Sequence, residues 1–327
     1  MRVYALDIGV SAIKRAVVET GPPCQVVTPM KPLRLPPTPT FHAVQERVLG
    51  ALSVAGATGD VDLVAIATAG AVEADGLVVS ADGIQGYHRI HWPTLLPAHL
   101  PELAGRVDVV NGGVAATWAE YHRRGQLGTH VHFALGAGIG GGIVIDGRLV
   151  GGSGAGPAGL GHILVHSAGT ARCSCTRVGC VETLASARAI RLSYKALQQA
   201  ESDGDSSRTA RTPTLLELTH RARGGEAAAR RVFESAGYWL GIAAADLVNI
   251  LNPDVVTVGG GLARAAEIAA GSGKGYLGSA QDAMRSRAIP RLADHARLEP
   301  AAYGTDAELI GAALLAASAA AAPLTVP

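Results

Sequence analysis

The sequence predicts an α/β protein of two lobes with a central cleft, and three features of the chain support this prediction. Two short apolar strands, at residues 2–6 and 15–19, are joined by a glycine-containing turn at residues 9–14. A similar strand-turn-strand pattern restarts later, with strands at residues 132–136 and 141–146. Segments with the apolar spacing of amphipathic helices occupy much of the remaining chain. Two lobes that each begin with a hairpin would enclose a cleft, which is a common place for ligands.

The boundary between the lobes is expected near residue 113. The smaller α/β lobe is predicted to contain residues 1–113 and to be completed by a C-terminal helix at residues 305–327. The larger α/β lobe is predicted to contain residues 114–304. Its residues 162–182 form a segment suited to binding a metal, for the reasons given below.

Short apolar runs predict the other strands, and apolar residues spaced three and four apart predict the helices. In chain order these elements are a helix at residues 41–55, a strand at 62–68, helices at 114–124, 181–199, 213–222 and 226–251, a strand at 255–258 and a closing helix at 305–321. Prolines are concentrated in residues 29–39. Because proline cannot donate a backbone hydrogen bond, we predict a connection rather than a strand there.

Composition excludes several classes of protein. Of the 327 residues, 48% are hydrophobic and 17% are charged, which excludes a disordered chain. The formal net charge is +1 and no run of Lys or Arg occurs, so binding to nucleic acid or to an acidic membrane surface is not expected. The sequence contains no pattern typical of a signal peptide or a membrane span, so we expect a cytoplasmic protein.

Residues 7–14 follow the first strand and contain groups suited to magnesium and phosphate. Asp7, at the end of the strand, can orient a hydrated Mg²⁺ ion. Backbone N–H groups in the turn that contains Gly9, Ser11 and Lys14 can bind phosphate oxygens. An ordinary hairpin turn explains the same residues, so both interpretations stay open here.

A second glycine-rich turn follows the strand at residues 132–136, and its candidate phosphate-binding residues are Gly136, Ala137, Gly138 and Gly140. Glycines remove the side chains that would hold backbone amides away from a phosphate. A glycine-rich hairpin with a bulge is the structural alternative. The occurrence of a related turn near the N-terminus favours phosphate binding.

A third glycine-rich segment, formed by Gly259, Gly260 and Gly261, lies between the buried strand at residues 255–258 and a predicted helix. This arrangement would let a flat ring or a phosphate approach the N-terminus of the helix. An ordinary strand-to-helix turn explains the segment almost as well.

Three cysteines, Cys173, Cys175 and Cys180, lie within eight residues and follow His162. Three thiolates and one imidazole form a closed tetrahedral ligand set for Zn²⁺, which indicates a structural metal. Three buried free cysteines are the alternative, but their close spacing would then be a coincidence. Glu182 follows the last cysteine, so a bound metal would fix its position; it could also simply favour the start of a helix.

Together these segments resemble the ROK family of bacterial repressors and sugar kinases, which has the actin-like ATPase fold, a ribonuclease H-like fold. Residues 7–14 resemble its first phosphate motif, residues 136–142 its second, and residues 258–261 its adenosine motif. Residues 173–182 match its cysteine signature, with Thr176 in place of a glycine. Residues 306–315 are similar to its closing helix.

The resemblance implies ATP with Mg²⁺ as cosubstrate, a structural Zn²⁺ and a small sugar-like ligand. Repressors of the family carry an N-terminal DNA-binding extension, and Asp7 lies too early in this chain for one, so a kinase is expected instead. The Trp118–Glu120 segment and Gly70 resemble the corresponding segments of N-acylmannosamine kinases. This resemblance favours an N-acylmannosamine kinase over a glucokinase or an N-acetylglucosamine kinase. We also expect a homodimer. Sugar-binding positions implied by the resemblance are Asn111, His162, Glu182 and Gly70.

The departures from the family pattern concern the sugar side. Gly112 occupies the position of the catalytic Asp, and Val114 that of a second Asn. Gly159 occupies the position of a Glu that precedes the zinc-binding His. The resemblance assigns no other residue as the general base. Asp82, on a loop at residues 80–92 that would face the sugar, is the one nearby candidate.

Three hypotheses follow. The first is an ATP-dependent carbohydrate kinase, acting on a hexose, an amino sugar or a cyclitol, whose catalytic site has changed. The second is a pseudokinase that binds nucleotide or sugar as a sensor or partner subunit. The third, an introduced Asp-to-Gly substitution in an active kinase, explains Gly112 but neither Val114 nor Gly159. The first hypothesis ranks highest because the nucleotide motifs are largely kept.

Overall fold

A computed structural model describes residues 1–53, 61–81, 83–126, 128–151, 159–167, 171–201, 211–271 and 273–321. The chain divides into two compact units. The first contains Met1–Gly125, Leu149–Ala158 and Asp306–Pro327, and the second contains Gln126–Arg148 and Gly159–Thr305. This division differs from the boundary predicted at residue 113, because the helix that begins at Gly112 belongs to the first unit.

The strands, in chain order, are β1 (Arg2–Ile8), β2 (Ala12–Glu19), β3 (Gln25–Arg34), β4 (Leu63–Thr68), β5 (Ala71–Val72), β6 (Leu77–Ser80), β7 (His88–His91), β8 (Val107–Asn111), β9 (His130–Leu135), β10 (Ile139–Ile145), β11 (Arg148–Leu149), β12 (Val255–Gly259) and β13 (Leu298–Pro300). The helices are α1 (Phe41–Ser53), α2 (Trp92–His99), α3 (Gly112–Arg123), α4 (Glu182–Ala185), α5 (Ala187–Glu201), α6 (Leu215–Arg223), α7 (Ala227–Leu251), α8 (Gly260–Ala270), α9 (Gly275–Arg287), α10 (Pro290–Ala293) and α11 (Ala307–Ala321).

The main sheet of the first unit has the strand order β3-β2-β1-β4-β8. β1 pairs with β2 in the antiparallel sense and with β4 in the parallel sense, and β4 pairs in parallel with β8. One face of β1, with Tyr4 and Leu6, lies in a large apolar core that also includes Trp92. The opposite face, with Val3 and Ala5, packs in a smaller core that includes residues of α11. The carboxyl ends of β1, β4 and β8 therefore lie at one edge of the sheet.

The sheet of the second unit has the order β11-β10-β9-β12-β13, which repeats the arrangement of the first. β9 pairs with β10 in the antiparallel sense and with β12 in the parallel sense, and β12 pairs in parallel with β13. The repeat agrees with the two similar hairpins recognised in the sequence. The predicted α/β fold class with two hairpin-led sheets is confirmed.

The N-terminal turns of α3 and α11 lie close together because of a glycine. A Cβ added at Gly311 would lie only 1.7 Å from the carbonyl oxygen of Ala115, so a side chain there would collide with the backbone of α3. The apolar residues of α11, such as Leu309 and Ala312, pack in the smaller core beside β1. The closing helix thus has a fixed position relative to the first sheet.

Two local predictions were wrong. The segment predicted as a proline-rich connection contains β3, which is tolerated because Pro29 and Pro32 lie on an edge strand, where not every N–H is needed. The first turn is shorter than predicted, because β2 begins at Ala12 and includes Lys14. Within the described part of the chain, no helix is both long and apolar enough to cross a membrane.

Candidate functional site

Asp7 and Lys14 are cross-strand neighbours, which explains why they meet. They are paired in the register of β1 and β2, so their side chains leave the same face of the sheet. Lys14 Nζ lies 2.7 Å from Asp7 Oδ2, and the Asp7 side chain is 13% exposed. The predicted magnesium and phosphate residues of the first motif therefore form an ion pair at the end of β1.

Glu308, in the first turn of α11, joins this pair. Its Oε2 lies 3.2 Å from Lys14 Nζ, and its side chain is 16% exposed. Burial and the neighbouring charge of Asp7 outweigh the opposing charge of Lys14 and raise the pKa of Glu308 to about 7. Burial alone would lower the pKa of Lys14, but the charges of Asp7 and Glu308 raise it above its ordinary value, so Lys14 stays protonated.

Asn111 is the N-cap of α3. Its Oδ1 accepts hydrogen bonds from the backbone N–H groups of Gly113, at 2.8 Å, and Val114, at 3.2 Å. Its Nδ2 donates to the carbonyl oxygen of Gly70 at 2.6 Å. The structure therefore brings together two of the predicted sugar-binding positions, and both amide atoms of Asn111 have protein partners.

Gly70 has a structural reason to be glycine. Its φ is +92°, and an added Cβ would lie 1.9 Å from the carbonyl oxygen of Ser80. The turn it makes directs its carbonyl oxygen to Asn111. Gly9 lies in the β1–β2 turn, where its N–H donates to the carbonyl of Ala12 at 3.1 Å, and Ser11 in the same turn is exposed. Asp82, the predicted base candidate, lies outside the described residues.

The second predicted phosphate turn joins β9 and β10 and is held by Glu182. Gly136 donates its N–H to the carbonyl of Gly138 at 2.9 Å, which closes the turn. Glu182 Oε2 accepts a hydrogen bond from the N–H of Ile139 at 2.8 Å. An added Cβ at Gly138 would lie 2.3 Å from the same Oε2, so the carboxylate fits because Gly138 has no side chain. Ala137, in the turn, and Gly140, on β10, are both exposed.

The third glycine-rich segment brings the end of β12 close to β9. Gly260, the first residue of α8, has a φ of +89°, and an added Cβ would lie 2.4 Å from the carbonyl oxygen of Leu135. An added Cβ at Gly259 would lie 2.9 Å from the ring of His132. At Gly261 an added Cβ would have no neighbour within 4 Å, so the N-terminus of α8 is open at that point.

His162, Cys173, Cys175 and Cys180 form a compact cluster, with their ligand atoms all within 4.8 Å of one another. Cys173 Sγ lies 3.4 Å from His162 Nδ1, and Cys175 Sγ lies 3.5 Å from Cys180 Sγ. A tetrahedral Zn²⁺ ion with Zn–S bonds of about 2.3 Å separates its sulfur ligands by about 3.8 Å. The four residues therefore fit a structural zinc ion with little movement.

The protonation of the cluster is compatible with metal binding. Hydrogen bonds with the backbone and side chain of Arg177 lower the pKa of Cys175 to about 6, so its thiolate predominates at neutral pH. Burial and the neighbouring cysteines raise the pKa of Cys180 to about 12. A metal ion must displace the proton of Cys180, so binding would release protons.

The local fold of the cluster includes one strained residue. Thr176 has a φ of +71°, a conformation that a β-branched residue rarely adopts. The turn is closed by the N–H of Thr176, which donates to the carbonyl of Cys173 at 2.9 Å. In the cysteine signature described above this position is a glycine, which has no such strain.

Comparison with known proteins identifies the family. The model of the ROK family matches residues 3–319. The chain belongs to the ROK family. An N-acetylmannosamine kinase from Salmonella heidelberg is 30% identical over 321 residues, which are 97% of this chain and 98% of that protein. A glucokinase from Halalkalibacterium halodurans is 34% identical over 183 residues, which are 54% of this chain and about half, 52%, of that protein.

The solved structure of a ROK family glucokinase from Streptomyces griseus, in complex with glucose and AMPPNP, is similar to the whole of this ROK chain. It is 27% identical, covers 97% of this chain and 100% of that one, and has a TM-score of 0.79. A ROK hexokinase from Thermus thermophilus is also 27% identical, with a TM-score of 0.74 and coverage of 98% and 99%. The predicted actin-like sugar-kinase fold is thereby confirmed.

Gly112 and Gly159 of this ROK chain have room for a side chain. The nearest atoms to an added Cβ at Gly112 are the Thr68 carbonyl oxygen at 3.6 Å, Glu308 Cγ at 3.8 Å and Asp7 Oδ1 at 4.0 Å. An added Cβ at Gly159 would lie 3.5 Å from His162 Cδ2. These are ordinary contacts, so packing does not require glycine at either position.

Glu308 is the residue that the sequence analysis missed. The C-terminal helix was recognised, but its acidic residue was not connected with Asp7 and Lys14, which lie about 300 positions earlier in the chain (Lys14 and Glu308 are separated by 294). A charged residue in the first turn of an otherwise Ala- and Leu-rich helix was the available signal.

Proposed function

We propose that this ROK protein is an ATP-dependent kinase that transfers a phosphoryl group to a hydroxyl of a hexose, an amino sugar or a cyclitol. Gly112 stands where the family pattern has the catalytic Asp, so the site differs from that of a standard sugar kinase. The whole-chain similarity to a protein named N-acetylmannosamine kinase supports an N-acylated amino sugar as the first substrate to try.

The observation that carries the proposal is the arrangement at the carboxyl ends of β1 and β8. Asp7 ends up beside the start of α3, with its Oδ1 4.0 Å from the Cβ position of Gly112. Ligands of open α/β sheets bind outside the carboxyl ends of parallel strands, where helix N-termini and turn amides can contact phosphates. A buried carboxylate at this edge is suited to a nucleotide that carries Mg²⁺.

Each part of the proposed site has a role in phosphoryl transfer. Asp7 would orient the hydrated Mg²⁺ ion, which reduces the repulsion between the phosphates and an attacking oxygen. The glycine-containing turn around Gly9 would provide backbone N–H groups to a phosphate. Asn111 holds the start of α3 through its cap. The group transferred is the γ-phosphoryl of ATP, which moves to the oxygen of the sugar hydroxyl while ADP leaves.

The zinc ion would act on structure rather than on the reaction. The closed set of three cysteines and one histidine leaves no ligand position for water or substrate. Glu182 begins α4 two residues after Cys180, and its carboxylate binds the N–H of Ile139. A bound zinc would thus fix the residue that holds the second glycine-rich turn.

The second candidate function is a pseudokinase that binds nucleotide or sugar without turnover. It is favoured by three replacements together, since Gly112, Val114 and Gly159 each remove a polar side chain of the family pattern. Loss of a general base typically lowers the rate by about 10²- to 10⁴-fold. Such a loss alone leaves slow catalysis measurable, because positioning and metal contributions remain. The third hypothesis, an introduced substitution at Gly112, leaves Val114 and Gly159 without explanation.

Turnover of ATP distinguishes these functions. The unmodified chain and Gly112→Asp are each tested with N-acetylmannosamine, N-acetylglucosamine, glucose and inositol, and sugar-dependent ADP formation is measured. The proposal expects measurable turnover by the unmodified chain with at least one of these compounds. Turnover only by Gly112→Asp would identify a kinase that has lost its base, and saturable nucleotide binding without turnover by either form would favour the pseudokinase.

A further inference from the structure

The side chain of Glu308 lies beside the space that Gly112 leaves open. Its Cγ is 3.8 Å from the Cβ that an amino acid at position 112 would have, a normal contact distance. Its carboxylate extends further, to within 3.2 Å of Lys14 Nζ. Its side chain is 16% exposed, so the carboxylate is largely shielded from solvent.

The packing of two helices fixes this proximity. Gly311 allows α11 to contact α3 so closely that an added Cβ would lie 1.7 Å from the carbonyl of Ala115. Glu308 and Gly112 each lie three residues, about one turn, before these contact points. The close crossing therefore places the first turn of α11, with Glu308, beside the first residue of α3.

The neighbours of Glu308 cannot replace it as a proton acceptor. Lys14 is protonated and carries no acceptor atom. Asp7 pairs with Lys14 through Oδ2 and is the candidate for orienting magnesium. The remaining near atom is the backbone carbonyl oxygen of Thr68, which is only a weak base. Among the described groups that approach the Cβ position of Gly112, Glu308 is therefore the available carboxylate.

We propose that Glu308 accepts the proton of the sugar hydroxyl in this ROK protein, in place of the Asp that Gly112 replaces. The inference rests on the proposed function. As the hydroxyl oxygen forms its bond to the γ-phosphorus of ATP, its O–H bond breaks and the proton moves to the Glu308 carboxylate. The bond between the γ-phosphorus and the bridging oxygen breaks at the same time, and ADP leaves with that electron pair. Lys14 holds the carboxylate in place through Oε2.

Steady-state kinetics of five proteins test this role, with the sugar that gives the highest turnover. The proteins are the unmodified chain, Glu308→Gln, Gly112→Asp, the double variant Gly112→Asp with Glu308→Gln, and Glu46→Gln as a control. Glu46 is an exposed glutamate on α1, far from this cluster in the sequence, with a side chain 62% exposed. Both kcat and the KM for ATP are measured, with thermal unfolding to check folding.

Glu308→Gln is expected to lower kcat by about 10²- to 10⁴-fold, the usual contribution of a general base, with little change in the KM for ATP. Gly112→Asp is expected to restore a large part of this loss in the double variant, because its Cβ fits the available space. Glu46→Gln is expected to behave as the unmodified chain. If Glu308→Gln does not fold, Glu308→Asp keeps the charge and withdraws the carboxylate by about 1 Å, which is expected to lower kcat by about 10²-fold.

The outcomes separate this inference from the proposed function. Turnover of the unmodified chain that survives Glu308→Gln overturns the role of Glu308 and leaves the kinase function standing. A loss of kcat that Gly112→Asp does not relieve also overturns it, since Glu308 would then act through structure. Turnover by Gly112→Asp alone, with none in the unmodified chain, shows that Glu308 supplies no base. No turnover in any form overturns the proposed function and the inference together.

Discussion

The two hairpin turns of this protein have the same place in two sheets of the same strand order but are supported by different groups. The turn between β1 and β2 lies beside an ion-paired cluster of Asp7, Lys14 and Glu308. The turn between β9 and β10 is supported by the carboxylate of Glu182, which follows the cysteine cluster. The first turn therefore lies beside charged residues that are distant in the sequence, whereas the second contacts a glutamate that follows a candidate metal site.

The glycines beside these turns differ in the same way. At Gly260 a side chain would collide with the backbone, so glycine is required by structure, and at Gly138 a side chain would displace the carboxylate of Glu182. At Gly112 a Cβ would make ordinary contacts, so glycine is not required there. Close packing thus explains the glycine at position 260, whereas it does not explain the glycine at position 112.

Removal of the proposed zinc ion is expected to have the largest effect on stability. It tests whether folding of the second unit depends on the metal. Cys180→Ser is expected to reduce bound zinc well below one ion per chain and to lower the free energy of unfolding by more than about 4 kcal/mol, because a structural metal contributes directly to folding. Zinc content is measured by elemental analysis and stability by denaturant unfolding. Cys24→Ser, at a cysteine outside the cluster, is the matched control. Equal stability of the two variants would contradict a structural zinc.

The next test replaces a glycine at a position where the backbone conformation requires one. Gly260→Ala is expected to lower the free energy of unfolding by about 2 to 4 kcal/mol, because it combines a positive φ with a collision against the carbonyl of Leu135. Gly261→Ala, at the next residue, is the matched control. Its Cβ meets no atom, and alanine favours helix, so stability is expected to stay equal or to rise by up to about 1 kcal/mol. Similar losses in both would show that the glycines of this segment do not differ.

The dependence of stability on pH tests the charge cluster of the first unit. The pKa of Glu308 is raised from its ordinary value to about 7 in the folded protein, so the folded state holds its proton more tightly than the unfolded state does. Its contribution to stability is therefore fully present below pH 4.5 and is lost as the pH rises to about 7. The difference in unfolding free energy between the unmodified chain and Glu308→Gln should fall over this range. A constant difference would contradict burial of this carboxylate.

A smaller effect is expected at the strained turn of the cysteine cluster. Thr176→Gly should raise the free energy of unfolding by about 1 kcal/mol, since glycine adopts a φ of +71° without strain. Thr183→Gly is the contrasting control, because Thr183 lies in the short helix α4 and its hydroxyl donates to the carbonyl of Cys180 at 2.7 Å. That substitution should lower stability. A loss in Thr176→Gly would show that the threonine side chain has a stabilising contact there.

Much of this architecture could be predicted because it depends on local sequence. The two hairpins, the helix that ends near residue 251 and the cysteine cluster each follow from neighbouring residues, whose periodicity and spacing are visible in the chain. β3 was missed because its prolines conceal an edge strand. α2 was missed because it contains Pro97 and begins next to Pro93. Whether a proline is tolerated in a strand or helix depends on whether its position needs a backbone N–H, and this is not visible in the sequence.

The cluster of Asp7, Lys14 and Glu308 could not be predicted as a whole. The register of β1 and β2 brings the first two together, but a turn one or two residues longer would have separated them. Glu308 joins them across 294 positions through the packing of α11, and this packing depends on Gly311.

The most direct test of the account is the transfer of the labelled γ-phosphoryl group of ATP to a sugar by the unmodified chain loaded with zinc. Labelled sugar phosphate is separated from ATP and counted after incubation with N-acetylmannosamine or glucose, with Mg²⁺ present. We predict slow, sugar-dependent formation of sugar phosphate. The rate with protein should exceed the rate without protein by much more than the counting error. No sugar phosphate with either compound, under conditions in which the protein binds ATP, would contradict it.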